Sequence, residues 1–122
     1  MSFLRSYAHV ALGVIRTVNG SAALFAPEAM ARQAGVDPAA NPAAPYVLRL
    51  FGIRTVLIGI DLLRSDGEAR RRALDRGVLI HASDTASAAA AGALGQLPPA
   101  AARKAVAISA LNTVLALTAR RP

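Results

Sequence analysis

Four apolar stretches dominate this chain, and each holds polar or ionisable groups within it rather than only at its ends. The groups are Arg16 with Asn19, Arg54 with Asp61, His81 with Asp84, and Asn112. Their neighbours are almost all Ala, Leu, Ile, Val and Gly. A charge in such surroundings is costly unless it meets a partner. The placement predicts one interior polar network drawing on all four stretches.

A chain of 122 residues makes one domain, residues 1–122, with room for about four helices of roughly 20 residues each. Hydrophobic residues make up 54% and charged residues 17%, against about 25% charged in ordinary soluble domains. Aromatics are only 4%, so any core is built from small aliphatic groups. With no cysteine there is neither a disulfide framework nor a thiolate zinc site.

The formal net charge of +7 points to nucleic acid or to an anionic membrane surface. The densest basic cluster is Arg64, Arg70, Arg71, Arg72 and Arg76, between the second and third apolar stretches. No aromatics interleave it and no nucleic-acid module surrounds it, so a membrane-flanking cluster is expected and no nucleic-acid partner. The apolar run after Arg5 is broken by Arg16, and no small-residue cleavage site follows. The first stretch is therefore expected to be retained.

The pattern predicts an all-α chain. The first helix runs from about Ser2 to Phe25. Pro27 opens a short amphipathic piece to Ala34, suited to lie at an interface, with Gly35 just past its end. Residues 36–45 form a loop. The second long helix starts near Asn41 or Pro45 and ends near Arg64. Ser65 and Glu68 have the spacing of a capping box that would start the third, which runs to about Gly92 or Ala93. A tight connection at 95–99 leads into the fourth, which ends near Ala119. There is no convincing strand and no internal repeat. Short connections favour antiparallel neighbours.

A soluble bundle needs a charged outer face at helical period. From Ala105 to Ala119 the fourth helix has no charge, and Thr85 to Gly92 on the third has none either. Both suit lipid or close helix contact. On the third helix Ala82, Ala86 and Ala90, and Ser83, Ser87 and Ala91, are small residues four apart that would let backbones approach. Putting both termini on the side of the arginine cluster gathers most of the positive charge there. That predicts four spans in the cytoplasmic membrane with both termini inside.

The ordered features Ala11-Leu12-Gly13-Val14-Ile15-Arg16, Gly20, Ala26-Pro27 and Gly35, then Arg49-Leu50-Phe51-Gly52-Ile53-Arg54 and Gly59, resemble a group of small bacterial, often actinobacterial, four-helix membrane proteins. These are loosely DoxX-like and of unknown function. The resemblance covers nearly the whole chain through short motifs. It implies a four-helix antiparallel transmembrane bundle with a short interfacial helix after the first. It implies no activity. That group often carries an acidic residue directly after the second-helix arginine, where this chain has Thr55.

Within the network Asp84 is expected to pair with Arg54 or Arg16, and Asp61 to lie within reach of Arg64 or His81. His9, Gly13, Arg16 and Gly20 share one face of the first helix. His81-x-x-Asp84 is a thin basis for metal binding, and with two histidines and no Glu-x-x-His motif neither metal nor cofactor is expected. The expected role is an accessory or scaffold subunit in the bilayer, forming a homo-oligomer or joining a larger complex, with Asn112 or the Gly52 and Gly59 stripe as contact surfaces. The alternatives are an intramembrane acid-base enzyme of isomerase or cyclase type, or a protein that binds an apolar small molecule. In the enzyme, Asp84, His81 and Asp61 would be the acid-base candidates.

Overall fold

The computed structural model describes residues 2–120, which form five helices and, among the described residues, no strand. They are α1 (Ser2–Phe25), α2 (Pro27–Gln33), α3 (Ala43–Arg64), α4 (Gly67–Ala93) and α5 (Pro99–Arg120). The breaks fall where the chemistry requires them. Pro27 occupies the first turn of α2, where its missing N–H costs nothing. Gly35, Gly67 and Gly95 take positive φ at the three turns, a conformation that other residues adopt only with strain.

The capping box does not form. Ser65 ends α3, and Asp66 precedes α4 without a side-chain cap. The Ser65 carbonyl instead accepts a bond of 2.8 Å from Arg70 Nε, and Glu68 pairs with Arg72 at 3.2 Å. The box would need the Ser65 N–H for Glu68, but that N–H is already donated to the Asp61 carbonyl at the end of α3, and the cap position of α4 falls one residue later, at Asp66.

α1 and α3 meet along four glycines. A Cβ on Gly20 would lie 2.6 Å from the Val56 nitrogen and 2.8 Å from the Gly52 oxygen. One on Gly52 would lie 2.7 Å from the Gly20 oxygen, and one on Gly59 2.7 Å from the Gly13 oxygen. Gly13 thus faces Gly59 and Gly20 faces Gly52, so the two helices run in opposite directions. Small residues let the backbones touch, as in tightly packed membrane helices. Gly52 and Gly59 are consumed by this internal seam and offer no surface to another molecule. That corrects their expected role in self-association.

α4 packs mainly on α5, again in opposite directions. Gly92 abuts Ala102 near one end, and Asp75 binds Arg120 Nε at 2.9 Å near the other. The expected small-residue contact on α4 is not the one used. Ala82, Ser83, Ala86, Ser87 and Ala90 face outward, while Gly77, His81, Ala88 and Gly92 turn toward the rest of the chain. The pattern of small residues is nearly all-round on this helix, so spacing alone could not select the buried face.

The interior is layered. Leu12, Leu62, Leu74 and Ala116 form an apolar cluster to which every long helix contributes. One turn further along α1 comes Arg16. The opposite end is filled by small groups, Ala23, Ala88, Ala101 and Ala102. By length and apolarity α5 is able to cross a membrane, with mean hydropathy 1.3. α1 and α2 pass the same test together, although they are bent by 107°.

Candidate functional site

Arg16 is the centre of the polar layer. It is 5% exposed, and its Nη1 lies 3.7 Å from Asp84 Oδ2, across from α1 to α4. The separation makes this an ion pair without a short hydrogen bond. Asp84 keeps 38% of its side chain exposed, so the pair joins an interior cation to a carboxylate at the edge. The guanidinium also sits 5.8 Å from the centre of the Phe51 ring on α3, within cation–π range.

His81 and Asn112 complete the layer at 0% and 1% exposed. His81 lies one turn before Asp84 on the same face of α4. Leu12 of α1 clusters with Ala116 of α5 and these helices run oppositely, so one turn on, Arg16 comes level with Asn112. Both ring nitrogens of His81, Nε of Arg16 and Oδ1 of Asn112 are buried without a protein hydrogen-bond partner among the described residues. Buried polar atoms are normally satisfied, and four unsatisfied ones in one layer mark it as unusual.

The expected pairing of Asp84 with Arg16 is what the structure shows, and Arg54 is excluded from it. Arg54 and Asp61 are both exposed on the outer face of α3, on one stripe with Val47, Leu50 and Leu57. Neither belongs to an ion pair among the described residues, and Asp61 does not reach His81. Their inclusion in the interior network is therefore corrected. The physical reason is the glycine seam. It fixes which side of α3 faces α1, and Arg54 lies nearly opposite Gly52.

Asn19 is half-buried on α1 and no hydrogen bond places it in the layer. Asn112, expected as a contact surface, is interior instead. His9, Gly13, Arg16 and Gly20 are all buried, as their shared face requires. Sequence reasoning missed Phe51 as the second partner of Arg16, and Thr55 as a buried residue. Their signal was present: both lie within three residues of Gly52 on its flanks. Among the described residues no group of three or more His, Asp or Glu side chains is placed to hold a metal ion.

Comparison of the chain with protein families, characterised proteins and solved structures finds no match. An interior cation with a carboxylate, an imidazole and an amide can fix helix register or accept a small polar group. Asp84 answers only one of the Arg16 nitrogens, and from 3.7 Å, so the interior cation is incompletely compensated.

Proposed function

We propose that the chain is a membrane-embedded bundle of four long helices with antiparallel neighbours, and that it serves as an accessory or scaffold subunit. The observation that carries this reading is an inverted distribution of side chains. Arg16, His81 and Asn112 are inside, while Tyr7, Val10, Val14 and Val18 of α1 face outward in an unbroken row. Ile108, Leu111, Val114 and Leu117 do the same on α5, between Arg103 and Lys104 at one end and Arg120 at the other. Contiguous apolar surface on this scale belongs against lipid or protein rather than water.

Charge placement supports an orientation. The start of α1, the start of α4 and the end of α5 lie together, since Ser2, Arg70 and Ala119 line one recess. That end carries Arg5 and the five arginines from Arg64 to Arg76, an excess that favours the cytoplasmic side. α2 would then lie at the opposite interface.

Arg54 and Asp61 argue for a subunit rather than a free bundle. Arg54 sits at the middle of α3, pointing away from the chain's own interior. A charge facing hydrocarbon at mid-depth is strongly unfavourable, so a second protein surface covers this stripe. Fractionation tests the reading. The protein should stay with membranes through alkaline extraction and need detergent for release. A photo-crosslinking residue at Leu57 should capture protein, not lipid alone. Recovery of a monodisperse species from the aqueous fraction without surfactant would contradict it.

A second reading rests on the unsatisfied atoms of Arg16, His81 and Asn112. They suit a small-molecule or acid-base site for a largely apolar substrate, with Asp84 and His81 exchanging the proton and Arg16 stabilising developing negative charge. Asp61 has no place in it, being on the far side of α3. Asp84→Asn separates the two readings. A lower folding yield in detergent favours the structural role, and normal folding with lost turnover or lost ligand binding favours the chemical one.

A further inference from the structure

The two broad faces of the bundle differ in kind. α1 and α5 form one, and their outward rows, Val10 with Val14 and Leu111 with Val114 among them, carry no charge. α3 and α4 form the other, which carries both signs. On α3, Arg54 and Asp61 lie about 200° and about 180° round from Gly52, which faces α1. On α4, Ala89 lines the groove shared with α5, and Ile80, nine residues earlier, is about 180° round from it. Arg76 and Asp84 stand one turn to either side of Ile80, each about 40° off its line. Arg54, Asp61 and Arg76 are exposed, and Asp84 is partly so.

Heights along the bundle match across this face. Gly20 faces Gly52 and Gly13 faces Gly59, so the level of Arg16 falls near Val56 of α3, about 3 Å from Arg54. Asp84 pairs with Arg16 and shares that level. Asp61 is about 10 Å on from Arg54 along α3, and Arg76 about 12 Å back from Asp84 along α4. The two helices run in opposite directions, so both displacements lead toward the arginine-rich end. A cation of α3 and an anion of α4 therefore stand at mid-height, with the signs reversed two turns nearer that end. Within one chain they do not meet. α3 and α4 touch only lightly, and no ion pair joins them among the described residues.

Such a face is complementary to itself. A half-turn about an axis parallel to the helices lays α3 of one copy on α4 of the other and leaves every height unchanged. We propose that a second copy of the chain covers this face, with Arg54 against the partner's Asp84 and Asp61 against the partner's Arg76, each pair occurring twice. The proposal rests on the reading of α3 as a stripe that needs a protein cover, and it names that cover. Both copies keep one orientation, as the arginine excess favours. Asp84 is exposed on the side that Arg16 does not hold, which leaves carboxylate surface for a second guanidinium. Leu57 and Ile80 lie between the charges, within one turn of each other in height, and fill the centre of the contact.

The test uses the full chain, whose lack of cysteine lets single thiols be placed at will. Leu57→Cys and Ile80→Cys are co-expressed as separately tagged copies and treated with a short bismaleimide in membranes. The mixed pair should give a covalent dimer, and neither variant alone should. In neutral detergent, dissociation of the dimer is followed by sedimentation. Arg54→Leu should weaken it about thirty-fold or more, as loss of one partner from a water-poor charge pair does. Asp61→Arg sets two cations face to face and should weaken it about ten-fold. Adding Arg76→Asp to that variant should bring the dimer back to within about three-fold of the parent. These side chains are exposed in the single copy, so the variants should fold as the parent does. Leu57→Cys cross-linked to itself would mean an inverted α3 pair, matching Arg54 with the partner's Asp61, and would overturn the proposal. So would a monomer in detergent with no cross-link in membranes, or a dimer indifferent to Arg54→Leu and to both charge exchanges. A chain that stays in the membrane but is captured from Leu57 only by a different protein contradicts this proposal alone. Release into the aqueous fraction contradicts the membrane reading instead.

Discussion

The chain has no internal repeat of structural length, but the tetrapeptide Ile-Arg-Thr-Val occurs twice, at Ile15–Val18 in α1 and at Ile53–Val56 in α3, and its two arginines have opposite fates. Arg16 is buried against Asp84 and Phe51, while Arg54 is exposed. Local sequence is the same, so propensity cannot explain the difference. The distance to the seam does. Arg16 stands three residues after Gly13, and Arg54 two after Gly52. At 3.6 residues per turn these offsets are about 300° and about 200°, which turns one arginine to the flank of the seam and the other nearly opposite it. The single extra residue, Val14, decides which arginine the interior receives. Burial of a charge is here a property of phase relative to a packing surface, not of the charge's immediate neighbours.

That contrast can be broken directly. Exchanging Arg54 and Thr55 (Arg54→Thr with Thr55→Arg) moves the second arginine to the offset that Arg16 has. It would enter a buried position with no carboxylate waiting. A loss of about 3–5 kcal/mol is expected, the scale of an uncompensated buried charge, seen as failure to accumulate folded protein in detergent. Arg54→Leu alone should leave folding stability within about 0.5 kcal/mol, as for an exposed side chain, while abolishing crosslinking through α3 if the partner surface reads that charge.

Asp84→Asn should cost about 2–3 kcal/mol in chemical unfolding, less than the exchange because Asp84 is partly exposed and its bond to Arg16 is long. Gly52→Ala comes next, at about 1–3 kcal/mol. Its new methyl group would meet backbone atoms of Leu24 and Gly20, which cannot step aside as a flexible side chain would. Phe51→Leu removes only the ring face beneath Arg16 and should cost about 0.5–1 kcal/mol. Ser65→Ala should be nearly silent, within about 0.5 kcal/mol, because the serine hydroxyl caps nothing. A loss near 1 kcal/mol there would mean that the capping box forms after all.

The helices were legible because proline, glycine and apolar runs act locally. α1 begins and ends where Ser2 and Phe25 suggested, and Pro27 opens α2. The polar layer was legible in half. His81, Asp84, Asn112 and Arg16 stand out in their stretches, but so do Arg54 and Asp61, which the fold turns outward. Membership depended on helix phase, and phase was set by the four glycines, whose spacing of seven in both α1 and α3 carries the information. The shared height of Arg54 and Asp84 was hidden for another reason. It relates α3 to α4 through α1, and no spacing within one helix reports that alignment.

The outward apolar faces are the point on which the membrane reading turns, and the chain's lack of cysteine makes them accessible to measurement. Spin labels at Val14→Cys on α1 and Leu111→Cys on α5, in lipid bilayers, report exposure to oxygen dissolved in lipid and to a nickel chelate dissolved in water. Both sites should be open to oxygen and closed to nickel, as surfaces bathed in hydrocarbon are. Free access of the nickel chelate to both would place these valine and leucine rows in water and contradict the account.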